Sequence, residues 1–131
     1  MEKFIVTAAL PYANGPIHIG HIAGAYLPAD IFVRYQKLKK NDIVFICGSD
    51  EHGAAITLRA KKENKSPKEI IDLYHSKNKK SFENLNINFS IYDRTSSKLH
   101  HETAQEFFKN LESKNVFNKK TTKQFFDKKH N

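Results

Sequence analysis

The chain has 131 residues, 39% hydrophobic and 27% charged, which is enough for one domain with a core and too little for two. Its longest apolar runs fall far short of a membrane span, 5 Gly and 4 Pro are too few for a low-complexity chain, and one cysteine, Cys47, excludes an intrachain disulfide framework. The net charge of +8 is uneven: residues 1–60 carry six Lys and Arg against five Asp and Glu, and residues 61–131 carry sixteen against nine.

A basic second half is the composition of a polyanion binder such as an RNA-binding module. Its cations weigh against that reading. Nineteen of the 22 in the chain are Lys, interspersed with Asn and Ser. Specific nucleic-acid surfaces rely on Arg and on aromatic side chains presented together, so the Lys excess is read as a solvated surface. The opening residues lack the cationic start and small-residue cleavage site of a secretory signal. With a lone cysteine, they predict a cytoplasmic protein with no membrane association.

In chain order, Phe4 to Leu10 is an apolar run of strand formers that ends at Pro11. It does not alternate cleanly, as expected of a strand buried on both faces of a parallel sheet. Residues 11–16, Pro-Tyr-Ala-Asn-Gly-Pro, form a breaker-rich loop. A helical stretch follows over about 19–40, and Pro28 inside it is expected to kink or divide it. After a turn at Asn41-Asp42, Ile43 to Cys47 reads as a second buried strand.

Strand, loop, helix, strand is a βαβ unit with parallel strands. Ligands of such sheets sit beyond the carboxyl ends of the strands, where residues 11–21 and 48–53 both fall. A short helix is predicted over 54–62. Ser66-Pro67-Lys68-Glu69 then combines a cap, a first-turn proline and a capping-box glutamate. The helix that follows places Ile70, Ile71, Tyr74, Phe82 and Leu85 near one stripe. Residues 86–94 read as extended or looped. A last helix is expected over about 97–113, burying Leu99, Ala104, Phe107, Phe108 and Leu111, and a strand around residues 123–126.

His18-Ile19-Gly20-His21 opens the first helix. A helix N-terminus presents free N–H groups and the positive end of the dipole, which suits phosphate. Histidines at i and i+3 face the same side, where they can donate to phosphate oxygens, and Gly20 lets a flat ring approach the backbone. A bare His-x-x-His also fits capping or metal binding. A metal would need a third ligand, with Cys47 or His52 to nominate, and closed zinc sites usually draw on several thiolates. No metal is expected here.

Residues 9–21, Ala-Leu-Pro-Tyr-Ala-Asn-Gly-Pro-Ile-His-Ile-Gly-His, resemble the first signature of the class I aminoacyl-tRNA synthetases. The Ala-Leu-Pro-Tyr lead is similar to the methionyl branch, whereas the isoleucyl branch typically has Pro-Pro-Tyr. Phe45 to Gly53, ending Asp50-Glu51-His52-Gly53, resembles the second strand and loop of the methionyl enzymes. Ala29-Asp30 with Arg34-Tyr35, and Tyr92-Asp93-Arg94-Thr95, are softer matches. The similarity covers essentially the whole chain.

The resemblance implies an α/β fold: a Rossmann-like parallel sheet with flanking helices, the first half of a class I synthetase catalytic domain. Residues 1–115 would be that half, and residues 116–131 the start of a connective insert. It implies a methionine–tRNA ligase with ATP and L-methionine as substrates, Mg2+ accompanying ATP, and tRNA(Met) as acceptor. His18 and His21 would hydrogen-bond the ATP phosphates with help from Asn14, and Gly20 would lie under adenine. Leu10 and Tyr12 would line the methionine pocket, and Asp50 would accept from the substrate ammonium. The alternative for Asp50 is a helix cap.

Glu51 and His52 receive no sharp role, and His75, His100, His101 and His130 match nothing catalytic. The family's Lys-Met-Ser-Lys-Ser signature is absent from these 131 residues. Zinc is expected only in a downstream cysteine-rich insert, and the chain alone is expected to be inactive. An isoleucyl-type synthetase and a non-catalytic RNA-binding module on the same fold are the alternatives, and oligomeric state is unknown.

Overall fold

The computed structural model describes residues 2–123. Three strands, β1 (Lys3–Thr7), β2 (Asp42–Ser49) and β3 (Ile91–Arg94), form one sheet in the order β1-β2-β3. Both pairings are parallel, with Lys3 opposite Asp42 and Ile46 opposite Ile91. This is the predicted α/β architecture of a parallel sheet with flanking helices. The β1–β2 crossover carries helix α1 (Ile19–His21), a π-helical turn (Ile22–Tyr26) and α2 (Leu27–Leu38), and the β2–β3 crossover carries α3 (Ala54–Lys62) and α4 (Pro67–Asn84).

The division of the first helix at Pro28 is present, in a form the sequence did not reveal. Leu27 donates its N–H to the Ile22 carbonyl five residues back, and Pro28, which has no N–H to offer, lies in the first turn of α2. Helices α3 and α4 are each followed by an asparagine with positive φ, Asn64 (52°) and Asn86 (55°), a conformation asparagine tolerates well. The predicted start of α4 is borne out: Ser66 accepts from the Glu69 N–H while the Glu69 carboxylate accepts from the Ser66 N–H.

One face of the sheet packs into a core of Ile22, Tyr26, Val33, Phe45, Cys47, Phe82 and Ile87. Edge-on rings tie it together, Tyr26 on Phe82 at 4.6 Å and Phe82 on Phe89 at 5.2 Å between centroids. A second cluster of Ala13, Ile56, Ala60, Ile70 and Tyr74 seats the loop after β1 on α3 and α4. The opposite face of the sheet departs from the expectation of two-sided burial: Ile5, Val44 and Ile91 are exposed. Apolar residue type permits burial, but a covering layer must be supplied, and no described element supplies it. The α4 stripe is also interrupted, with Asn78 fully buried at its centre and Leu85 exposed.

The chain divides into two compact units, one ending at His101 and the next beginning at Glu102. Helix α5 (Lys98–Ser113) forms where predicted, yet Leu99, Phe107, Phe108 and Leu111 are exposed rather than buried. In the second unit, the rings of Phe108 and Phe117 stack at 4.9 Å. The strand expected around residues 123–126 falls, beyond Lys123, outside the described residues. No helix among the described residues is long and apolar enough to cross a membrane.

Candidate active site

The loops after β1 and β2 are zipped together at the carboxyl edge of the sheet. Tyr12 and Asp50 form an isolated parallel bridge, with the Asp50 N–H on the Pro11 carbonyl at 2.9 Å and the Ala13 N–H on the Asp50 carbonyl at 2.8 Å. This places Leu10, Tyr12 and Asp50 on adjoining backbone. Leu10 also lines a cavity of about 330 Å³ at the strand ends, together with Thr7, Cys47, Gly48, Asp93 and His100. Gly53 has φ 131° and ψ 165°, a region that only glycine visits readily, and a Cβ there would collide with the Tyr12 hydroxyl. Gly53 is also the N-cap of α3, so Asp50 is not a helix cap. Among the described residues its carboxylate accepts a long contact from the His52 N–H, 3.4 Å, within the loop.

His18 and His21 form a second group. Their rings lie 3.9 Å apart between centroids at 40°. His18 is the N-cap, and its Nδ1 accepts the Gly20 N–H at 3.1 Å. The His21 Nδ1 accepts the His18 N–H at 3.2 Å, closing a reciprocal capping box made of two imidazoles. Two of the N–H groups expected to be free for phosphate are therefore taken by side chains. The gain is a defined tautomer: a nitrogen that accepts carries no proton, so each neutral ring carries its proton on Nε2. Gly20 leaves room for this arrangement: a Cβ there would sit 3.0 Å from the His18 Cε1, so the ring would have to shift.

The segment leading to His18 is held from α3 and α4. The Asn78 amide, 1% exposed, accepts the Ile17 N–H at 3.1 Å and donates to the Gly15 carbonyl at 3.4 Å, spanning Pro16. Arg59 donates to the Asn14 carbonyl at 3.0 Å while its guanidinium covers the Tyr74 ring at 4.8 Å. Asn14 is thus fixed through its backbone.

Sequence reasoning missed the most heavily bonded side chain of the region. The Glu51 carboxylate is fully buried and accepts Arg94 Nε at 2.8 and 2.9 Å and the Ser96 hydroxyl. Arg94 also donates to Asp72 at 2.6 Å. His75, read from sequence as a surface or helix-face residue, is half-buried, with Nδ1 2.8 Å from the Ser49 hydroxyl. Burial pushes its pKa below the ordinary imidazole value, helped by the charge of Arg94. His52 Nε2 lies 3.4 Å from His101 Nε2 and His100 lines the cavity, whereas His130 lies outside the described residues. The only sequence signal for these contacts is a run of polar residues after β3. Among the described residues no three His, Cys, Asp or Glu side chains are grouped as metal ligands.

Two lysines of the basic half are in ion pairs with neighbouring glutamates. Lys65 pairs with Glu63 at 3.0 Å and Lys80 with Glu83 at 3.4 Å, both exposed contacts of small energetic weight.

The family described as tRNA synthetases class I (M) matches residues 4–131. A methionine–tRNA ligase of Bacteroides fragilis is 60% identical over 126 residues, 96% of this chain and 19% of that protein. One of Chlorobium phaeobacteroides is 55% identical over 131 residues, the whole of this chain and 19% of its own length. Among solved structures, Mycobacterium tuberculosis methionyl-tRNA synthetase in complex with methionyl-adenylate superposes with a TM-score of 0.83. It is 28% identical, over 86% of this chain and 22% of that one. The chain therefore spans about a fifth of the length of the curated relatives it matches.

Proposed function

The chain belongs to the class I tRNA synthetases of the methionine type, and from that membership we propose that it forms the amino-terminal half of the catalytic domain of a methionine–tRNA ligase. Residues 1–115 supply that half and residues 116–131 begin the connective insert. The protein works in the cytoplasm. Its partners are ATP, L-methionine and tRNA(Met).

The reaction has two steps. A methionine carboxylate oxygen attacks the α-phosphorus of ATP, the bond to the β-phosphate oxygen breaks, and pyrophosphate leaves. The methionyl carbonyl is then attacked by the 3′-terminal adenosine hydroxyl of the tRNA, and AMP leaves. Both are displacements that need alignment and charge stabilisation rather than a covalent enzyme intermediate. His18 and His21 donate their Nε2 protons to phosphate oxygens as charge accumulates on them. Asn14 assists beside them, and Gly20 gives adenine access to the backbone. Asp50 accepts from the substrate ammonium, and Leu10 and Tyr12 form the wall for the thioether. Mg2+ bound with ATP screens the phosphate charge. The described residues group no set of zinc ligands.

The observation that carries this reading is the reciprocal capping of His18 and His21, which commits both Nδ1 atoms to backbone and leaves both Nε2 atoms as donors. Methionine-dependent exchange of pyrophosphate into ATP by the full-length protein tests it. Exchange supported by isoleucine instead would assign the protein to another amino acid.

A further inference from the structure

Thr95 stands on both sides of Asp50. Its N–H donates to the Ser49 carbonyl at 3.1 Å, and its hydroxyl oxygen accepts the Glu51 N–H at 2.9 Å. The residue between those two anchors is Asp50, whose own N–H and carbonyl are held from the other side by Pro11 and Ala13. Every backbone polar group flanking the Asp50 side chain is thereby fixed.

Thr95 is itself held from the loop it grips. Glu51 reaches back to bind Arg94 on one side of Thr95 and Ser96 on the other. Arg94 is anchored in turn to Asp72 on α4. Burying a carboxylate is costly, and a buried ion pair rarely stabilises more than apolar side chains of the same volume. What such a pair supplies is a fixed arrangement, and here the arrangement is centred on one acidic side chain.

We propose that Thr95 and Glu51 form a clasp that orients the Asp50 carboxylate toward the ammonium group of the amino-acid substrate. Both are positioning residues acting through Asp50, and Arg94 ties the clasp to α4. This rests on the reading of Asp50 given above.

The test is pyrophosphate exchange by the full-length protein and its Thr95→Val and Thr95→Ser variants. Valine keeps the shape of threonine and removes the acceptor for the Glu51 N–H; serine keeps the acceptor. Thr95→Val raises the KM for methionine roughly tenfold, the scale of one hydrogen bond to a buried donor. The inhibition constant of L-methioninol, which keeps the ammonium and lacks the carboxylate, rises in parallel. The KM for ATP stays put, and Thr95→Ser returns both methionine and methioninol toward wild type. Equal rises for ATP and methionine, or no change for either, would overturn the clasp. Should the valine variant not fold, Glu51→Gln carries the same test with the same expected split. A wild type that exchanges with a different amino acid refutes the methionine assignment alone, and the clasp is then judged with that amino acid. Absence of exchange with any amino acid overturns both.

Discussion

His18 and His21 each accept, at Nδ1, a backbone N–H from the turn that the other helps to build. The two residues proposed as donors to the ATP phosphates are therefore also the cap of their own helix. On that proposal, Nδ1 of each ring serves the cap and Nε2 the chemistry.

That division is separable by mutation. His21→Ala removes both roles, whereas His21→Asn keeps an acceptor near the His18 N–H and removes the distal donor. Both variants are expected to slow adenylate formation by roughly 10²–10³-fold, the scale of one lost oxyanion-type donor. The methionine KM stays near wild type. Thermal unfolding then distinguishes them: His21→Ala loses about 1 kcal/mol of capping stability and His21→Asn retains most of it. Single-turnover adenylation with calorimetry reads both quantities. Equal losses in methionine binding and in rate would show that His21 does not act on the transition state.

Gly20 and Gly53 fail for different reasons when given a side chain. Gly20→Ala places a methyl against the His18 ring at 3.0 Å, so its effect is on rate, through displacement of that ring. Gly53→Ala puts alanine at φ 131° against the Tyr12 hydroxyl, so its effect is on stability, about 1–3 kcal/mol by denaturant unfolding. A Gly53→Ala protein of unchanged midpoint would contradict the geometry of that loop.

Asn78 carries the approach to His18 across 61 residues of sequence. Asn78→Leu fills the same space and leaves the Ile17 N–H without its side-chain partner, a loss of about 1–3 kcal/mol. Urea unfolding measures it, and a neutral result would mean that the Ile17 N–H finds another acceptor.

His75 sets a pH dependence. Its folded pKa lies below the ordinary 6.5 because burial, then the Arg94 charge, disfavours the imidazolium. The unfolded chain therefore takes up the proton first as pH falls. The stability tied to neutral His75 is present above pH 6.5 and is lost as pH drops below that value toward the folded pKa. His75→Gln, which does not titrate, flattens the unfolding midpoint in that window. A wild-type midpoint that does not change between pH 7 and the acid side of the window would contradict the assignment.

Much of this fold is legible from local pattern. Apolar runs locate β1 and β2, although β1 stops at Thr7 rather than Leu10 and β2 continues through Gly48 to Ser49, and Ser66-Pro67-Lys68-Glu69 places the start of α4 because capping is a matter of neighbouring residues. The loops that meet at Tyr12 and Asp50 follow from the parallel topology alone. What stayed hidden depends on long-range contact. Glu51 and Arg94 are 43 residues apart, and although each lies in a stretch that resembles the family, neither stretch shows that the two side chains pair. Asn78 lies within the apolar stripe of α4 and nothing in that stripe marks its role, because its partners at Ile17 and Gly15 are 61 and 63 residues away. The exposed face at Ile5, Val44 and Ile91 shows the converse, since side-chain type reports what a residue tolerates and the covering element decides what it meets.

The proposed function has two imidazoles at the start of one helix and a carboxylate on the adjoining loop activating methionine. Pyrophosphate exchange by the full-length protein, run with methionine and with isoleucine, tests it most directly. Exchange that requires methionine and is reduced about 10²–10³-fold by His21→Asn is the predicted result. Exchange driven by isoleucine, or methionine-dependent exchange untouched by His21→Asn, would contradict it.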